Sequence, residues 1–257
     1  MSVIQGTNRD DRIGPNYKDP TTDGSDIVYA KGGDDTIRSL MGNDKVFGGD
    51  GEDHAYLGGG KDEFFGGSGD DHAEGGAGED KLHGEGGEDH LKGEGGADYL
   101  SGGAGSDKLD GGAGGDELDG GQGSDKLDGG AGGDKLNGGR GDDWLSGGEG
   151  SDKLDGGQGS DKLDGGKGDD WLSGGGGSDD FYFDNHGGHD QIKDAQKGES
   201  LFFKTKLADS NGDGYINAGF DDIFQYKGGS VEINGGHFDD IKLVGHNHGW
   251  YEYEILG

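Results

Sequence analysis

An aspartate recurs at every ninth residue through most of this chain, preceded by a glycine-rich run and followed by one apolar side chain. From residue 21 to residue 182 the phrase G-G-x-G-x-D-x-U-x, with U apolar, is repeated eighteen times without a slipped residue. Its sixth position is Asp26, Asp35, Asp44, Asp53, Asp62, Asp71, Asp80, Asp89, Asp98, Asp107, Asp116, Asp125, Asp134, Asp143, Asp152, Asp161, Asp170 and Asp179. With no cysteine in the chain, neither a disulfide framework nor a thiolate site is available. The chemistry on offer is oxygen. Glycine reaches positive φ cheaply, so the first six positions can turn tightly and point several carbonyls the same way. Calcium prefers six to eight oxygens, from carboxylates and backbone carbonyls alike, at roughly 2.3–2.6 Å. The residue types and their spacing therefore point to calcium.

The elements that must position these carboxylates follow from the rest of the phrase. The eighth position is always apolar: Val28, Ile37, Val46, Ala55, Phe64, Ala73, eleven leucines from Leu82 to Leu172, and Phe181. Alternation in a short x-U-x strand puts U on one side and its neighbours on the other. A period held this strictly identifies a stacked repeat architecture. An ordinary core is excluded. Hydrophobic residues are 26% of the chain, glycine takes 67 positions, and the formal charge is −33, a balance typical of disordered chains. Ordering so much glycine is costly, so something outside the chain must bind the folded form. The acidity argues against nucleic acid, and no stretch approaches a membrane-spanning length.

The phrase Gly120-Gly121-Gln122-Gly123-Ser124-Asp125-Lys126-Leu127-Asp128 resembles the RTX (repeats-in-toxin, hemolysin-type) nonapeptide, a calcium-binding repeat. That resemblance implies an all-β fold, a right-handed parallel β-roll with two nonapeptides per turn and a small β-rich C-terminal cap. Each calcium would sit between glycine-rich loops on successive turns, with the U residues filling a narrow interior. Eighteen phrases then make nine turns, about 43 Å long at a strand spacing of roughly 4.8 Å. Eight gaps on each edge would take roughly sixteen Ca2+, nearly balancing the formal charge of −33. Extracellular calcium modules commonly bind at about 10⁻⁴–10⁻³ M. The roll is thus expected to be unfolded in calcium-poor cytosol and folded outside.

The division expected is residues 1–20 as an N-terminal cap, 21–182 as the roll, and 183–257 as a C-terminal capping and secretion-signal region. At the front, Asp11 and Ile13 belong to a degenerate phrase, followed by an insertion at 15–20. At the rear, Phe183 and Asp184 precede another, with Gly188, Asp190 and Ile192. Asp11 and Asp190 join the expected metal ligands. Residues 209–216 fit the first half of an EF-hand-type loop, with Asp209, Asn211, Asp213 and Asp221 as a rearranged ligand set. The N-terminus lacks the regions of a cleavable secretory signal. The tail resembles that of RTX proteins exported by type I secretion, whose uncleaved C-terminal signal ends in an acidic and apolar segment like Glu252–Gly257. The same segment reads equally as a last strand of the cap.

Outward residues eighteen apart should stack on one sheet. His54, His72 and His90 would form a ladder that chelates a transition metal, responds to pH, or is a relic of duplication. Tyr29, Phe47 and Phe65 would form a row, covered by the N-terminal arm or serving as a docking patch. Residues 120–146 and 147–173 match at 22 of 27 positions, placing the equivalent Trp144 and Trp171 on opposite sheets. The function expected is a secreted, non-enzymatic protein that folds on binding calcium. The alternative is a calcium-dependent module recognising an extracellular glycan or cell-surface protein. An enzyme is disfavoured: there is no H-E-x-x-H or G-x-S-x-G, and the non-repeat parts are too small for the separate catalytic domain of RTX enzymes.

Overall fold

The computed structural model describes residues 2–14, 21–184, 187–196, 199–204, 215–217, 223–226, 229–235, 240–247 and 249–256. Among them there is no helix; the chain winds as a parallel β-solenoid of about ten turns. Strands β1 (Ser2–Gln5) and β2 (Arg12–Ile13) open it. Eighteen strands follow, one per phrase, from β3 (Asp26–Gly32) to β20 (Asp180–Phe183). Odd-numbered strands line up in one sheet and even-numbered strands in the other. The register is eighteen residues throughout the regular array, as in Leu109 beside Leu127 and Asp110 beside Asp128. Two phrases therefore make one turn.

The repeat strands are longer than the x-U-x unit expected. β12 runs Lys108–Ala113, because the next phrase's first three residues keep pairing, Gly112 with Gly130 and Ala113 with Ala131, although Gly112 and Gly130 take φ of 99° and 97°. Parallel neighbours at constant register keep these residues in the sheet, and the chain turns through positive φ at the second and fourth positions. Every U residue from Val28 to Phe181 is buried, and together they form a single core column between the sheets.

Both ends continue this scheme. Ile13 pairs with Ile37 and is buried, as its degenerate phrase requires. β21 (His189–Ala195) carries Ile192 into the core beside Leu172. A second degenerate phrase, residues 194–202, was not anticipated. It has Asp194 in the first position, Glu199 in the sixth and Leu201 in the eighth. It forms β22 (Ser200–Phe203), parallel to β20, with Leu201 buried beside Phe181.

The remaining strands extend the two sheets of the roll. β23 (Tyr215–Asn217), β26 (Asp240–Asn247) and β27 (Trp250–Leu256) lengthen one sheet through antiparallel pairs. β24 (Ile223–Tyr226) and β25 (Gly229–Gly235) lengthen the other, with β25 parallel to β21. The acidic and apolar C-terminal segment lies within β27, which buries Tyr253 and Ile255. No helix among the described residues is long and apolar enough to cross a membrane.

Candidate metal centres along the two edges of the roll

All eighteen repeat aspartates are buried at the turns. Each carboxylate faces two ways. Oδ1 accepts the backbone N–H of the aspartate one turn earlier: Asp107 to Asp125 and Asp125 to Asp143 span 2.8 and 2.7 Å. These bonds join each edge into a continuous ladder. Oδ2 of every repeat aspartate from Asp35 to Asp179 is buried and has no hydrogen-bond partner. Leaving so many buried carboxylate oxygens unpaired is costly unless a cation lies against them.

The glycines show what surrounds those oxygens. A carbon added at Gly120, the first position of its phrase, would lie 2.5 Å from Asp125 Oδ2 and 2.6 Å from the Gly138 carbonyl oxygen. At Gly138 the same construction gives 2.5 Å to Asp143 Oδ2 and 2.6 Å to the Gly156 oxygen. Two acceptors from successive turns thus flank one point, and no protein hydrogen-bond donor reaches the carboxylate oxygen. At the fourth position φ is positive in every phrase from Gly33 to Gly177, and a side chain on Gly123 would strike the Gly105 carbonyl. The carbonyls of one loop face the loop stacked on it. This donor set, carboxylate plus carbonyl oxygen at a glycine-lined gap, fits calcium. Among the described residues no three His, Asp or Glu side chains group so as to hold a metal ion. Most ligands of each centre must therefore be main-chain oxygens.

Electrostatics agree. Burial pushes the Asp71 carboxyl up to about 8, helped by Asp53, Asp89 and Asp70, even though the Asp53 amide works the other way. Asp125, Asp152 and Asp161 are likewise raised by burial to about 7, with neighbouring ladder aspartates adding to the effect. Without a cation these groups resist ionisation.

The N-terminal ends of the ladders differ. Asp26 accepts the Ser2 amide at 2.9 Å on Oδ1 and the Thr22 amide at 2.7 Å on Oδ2. Burial acts to raise its carboxyl, but these donors prevail and hold it below the usual range. Asp11 Oδ2 accepts the Thr7 amide at 2.5 Å, and the Asp11 amide donates to Asp35 at 2.6 Å. Both were expected as metal ligands; protein donors already serve their Oδ2 atoms. Asp190 is buried and accepts the Asp170 amide at 3.2 Å, continuing its ladder. Asp209, Asn211, Asp213 and Asp221 lie outside the described residues.

The outward ladders form in register. Rings of Tyr29 and Phe47 stack at 4.9 Å and 3°, and those of Phe47 and Phe65 at 5.2 Å and 11°. His83, overlooked in the sequence, continues the row at 5.0 Å from Phe65. β1 pairs alongside β3, beside Tyr29, so it extends the sheet rather than covering the rings. His54, His72 and His90 also lie in register, with centroids 5.6 and 4.9 Å apart and rings tilted by 41° and 78°, but they do not make a metal-holding group of three. Trp144 and Trp171 project from opposite sheets, half-exposed, with lysines against their rings.

Residues 20–55, 56–91, 92–127, 128–163 and 155–185 each match the family model of the RTX calcium-binding nonapeptide repeat. No curated protein matches the chain.

Proposed function

Because the chain belongs to the RTX calcium-binding repeat family, we propose that it is a secreted, non-enzymatic protein whose roll folds as calcium enters the gaps between successive loops. The observation that carries this reading is the row of buried Asp Oδ2 atoms from Asp35 to Asp179 that accept no hydrogen bond. Calcium would supply compact positive charge against those oxygens and the facing glycine carbonyls. The chain's part is to hold the oxygens in place. Oδ1 ties each carboxylate to the loop before it, the glycines bring carbonyls of adjacent loops together, and the buried U residues keep the sheets in register. Eight gaps per edge give about sixteen ions, and a formal charge of −33 that opposes folding would be nearly neutralised.

Export by type I secretion, with the terminal strand as part of the signal, is consistent with the family and belongs to the same reading. Circular dichroism during a calcium titration from a chelated state tests it. A cooperative coil-to-strand transition is expected, with magnesium unable to substitute because it demands tighter octahedral geometry. A chelated sample with a full strand spectrum and a sharp melt would refute it.

Calcium-dependent recognition of an extracellular glycan or cell-surface protein is the second reading. It draws on Trp144 and Trp171, which are 52% and 47% exposed. The Tyr29–Phe47–Phe65 row supports it less, since its rings turn their faces to one another and leave mainly edges outward. A glycan array screened with and without calcium discriminates between the readings.

A further inference from the structure

On the edge built from even-numbered phrases, the last repeat aspartate is Asp179, and the residue that follows it in the stack is Glu199. The Ser200 amide donates to the Asp179 carbonyl at 3.0 Å, the same bond that Lys126 makes to Asp107 at 2.8 Å. Glu199 thus occupies the aspartate position one turn further on. It is 1% exposed; Oε2 accepts the Gln196 amide at 2.7 Å, while Oε1 is buried with no hydrogen-bond partner. Asp179, fully buried, leaves Oδ2 in the same condition. Asp194 takes the first position, where fourteen of the eighteen regular phrases carry glycine. Its oxygens accept the Gly174 and Gly175 amides at 3.1 and 2.9 Å and the Ser173 hydroxyl at 2.9 Å. Asp194 is thus served by protein donors, whereas Asp179 and Glu199, on adjoining turns, each present one unpartnered buried oxygen.

The geometry points to a further divalent-cation site beyond the regular repeats, held by Asp179 and Glu199, that makes docking of the chain's last strand depend on calcium. The coupling is direct. The Glu199 carbonyl accepts the Ile255 amide at 3.1 Å, and β22, which begins at the next residue, pairs antiparallel with β27. A cation drawing Glu199 onto Asp179 fixes the backbone on which β27 is built. This inference rests on the calcium reading above, and it adds a ligand type, glutamate, that the repeat does not use.

Hydrogen exchange followed by mass spectrometry on the full chain, at stepped calcium concentrations, reads the roll and the last strand separately. Glu199→Gln preserves the shape and the Oε2 contact. It should leave the calcium midpoint for protection of residues 100–140 unchanged, and raise that for 250–256 about tenfold, as loss of a charged ligand predicts. Equal midpoints for 250–256 in wild type and variant overturn the site while leaving the roll reading intact. A wild-type roll indifferent to calcium overturns that broader reading instead. If Glu199→Gln never orders 250–256, Glu199→Asp decides: calcium-dependent protection of that strand supports the site, and any other result overturns it.

Discussion

Replacing Asp125 with asparagine should change stability in opposite directions with and without calcium. The amide keeps the Oδ1 acceptor for the Asp107 N–H, 2.8 Å away, and replaces the unpartnered Oδ2 with a donor near the Gly138 carbonyl. Without metal, the wild-type carboxyl is held at about 7, chiefly by burial, against an ordinary value of 3.8. At about 1.36 kcal/mol per pH unit, an ionised Asp125 costs the metal-free fold roughly 4 kcal/mol at neutral pH. Asn removes that cost and relieves Asp107 and Asp143, whose charges add to it. With calcium, the same change deletes a charged ligand. Two titrations at pH 7.5 read the two states: calcium-induced folding, and folding induced in chelator by a protecting osmolyte. D125N should shift the calcium midpoint upward and the osmolyte midpoint downward. If both midpoints rise, Oδ2 is an ordinary structural acceptor and the metal argument fails at this position.

The remaining predictions concern backbone and pH. Glu85 and Glu94 sit at the second position with φ of 73° and 70°, where glycine at the same position in other phrases takes 89–118°. Glu85→Gly and Glu94→Gly should each raise stability by about 1 kcal/mol in saturating calcium, seen as a higher melting temperature. Gly123→Ala places a methyl against the Gly105 carbonyl at positive φ, so it should raise the calcium midpoint and broaden the transition in the same dichroism titration. The chelated chain should gain strand structure as pH falls from 8 toward 4.5. Folded-state carboxyls raised to about 7 or 8 take up protons across that window, whereas unfolded ones near 3.8 do not. The destabilisation is complete above the folded values and vanishes below the unfolded ones. A chelated sample with no gain in strand signal at pH 4.5 would contradict the raised carboxyls.

Register was the most legible property of this chain, because a strict period forces residues eighteen apart to meet. Asp125 over Asp107, Leu127 beside Leu109 and the stacked Tyr29, Phe47 and Phe65 all follow from counting. What counting missed lies where residue types change while position does not. Glu199 stands for aspartate and Asp194 for glycine, so the phrase at 194–202 is invisible as a motif, though the nine-count from Asp190 lands on it. Strand length was misjudged for a different reason. Glycine pairs suggest an end to pairing, yet parallel neighbours at constant register keep Gly112 beside Gly130 within the sheet even at φ of 99° and 97°. At Asp26 the Thr22 amide is a local donor four residues away, whereas the Ser2 amide depends on how the arm docks, which no spacing encodes.

These differences give the roll a polarity that its uniform sequence conceals. At the N-terminal end, the Thr7 and Thr22 amides close the ladders by serving Asp11 and Asp26, so these carboxylates are satisfied by the chain itself. From Asp35 to Asp179 the Oδ2 atoms have no such donors, and on one edge the same condition reaches Glu199, beneath the terminal strand. The requirement for cation charge is therefore relieved at the front and carried to the rear. Truncating β27 should consequently raise the calcium midpoint of neighbouring turns, because Glu199 loses the Ile255 amide that anchors its backbone. Truncating β1 removes the Ser2 donor from Asp26 but leaves its Thr22 contacts, so its effect on the calcium midpoint should be smaller. Equal shifts from the two truncations, measured by dichroism titration, would show that the two ends are energetically alike and that the hydrogen-bonded closure at the front contributes nothing.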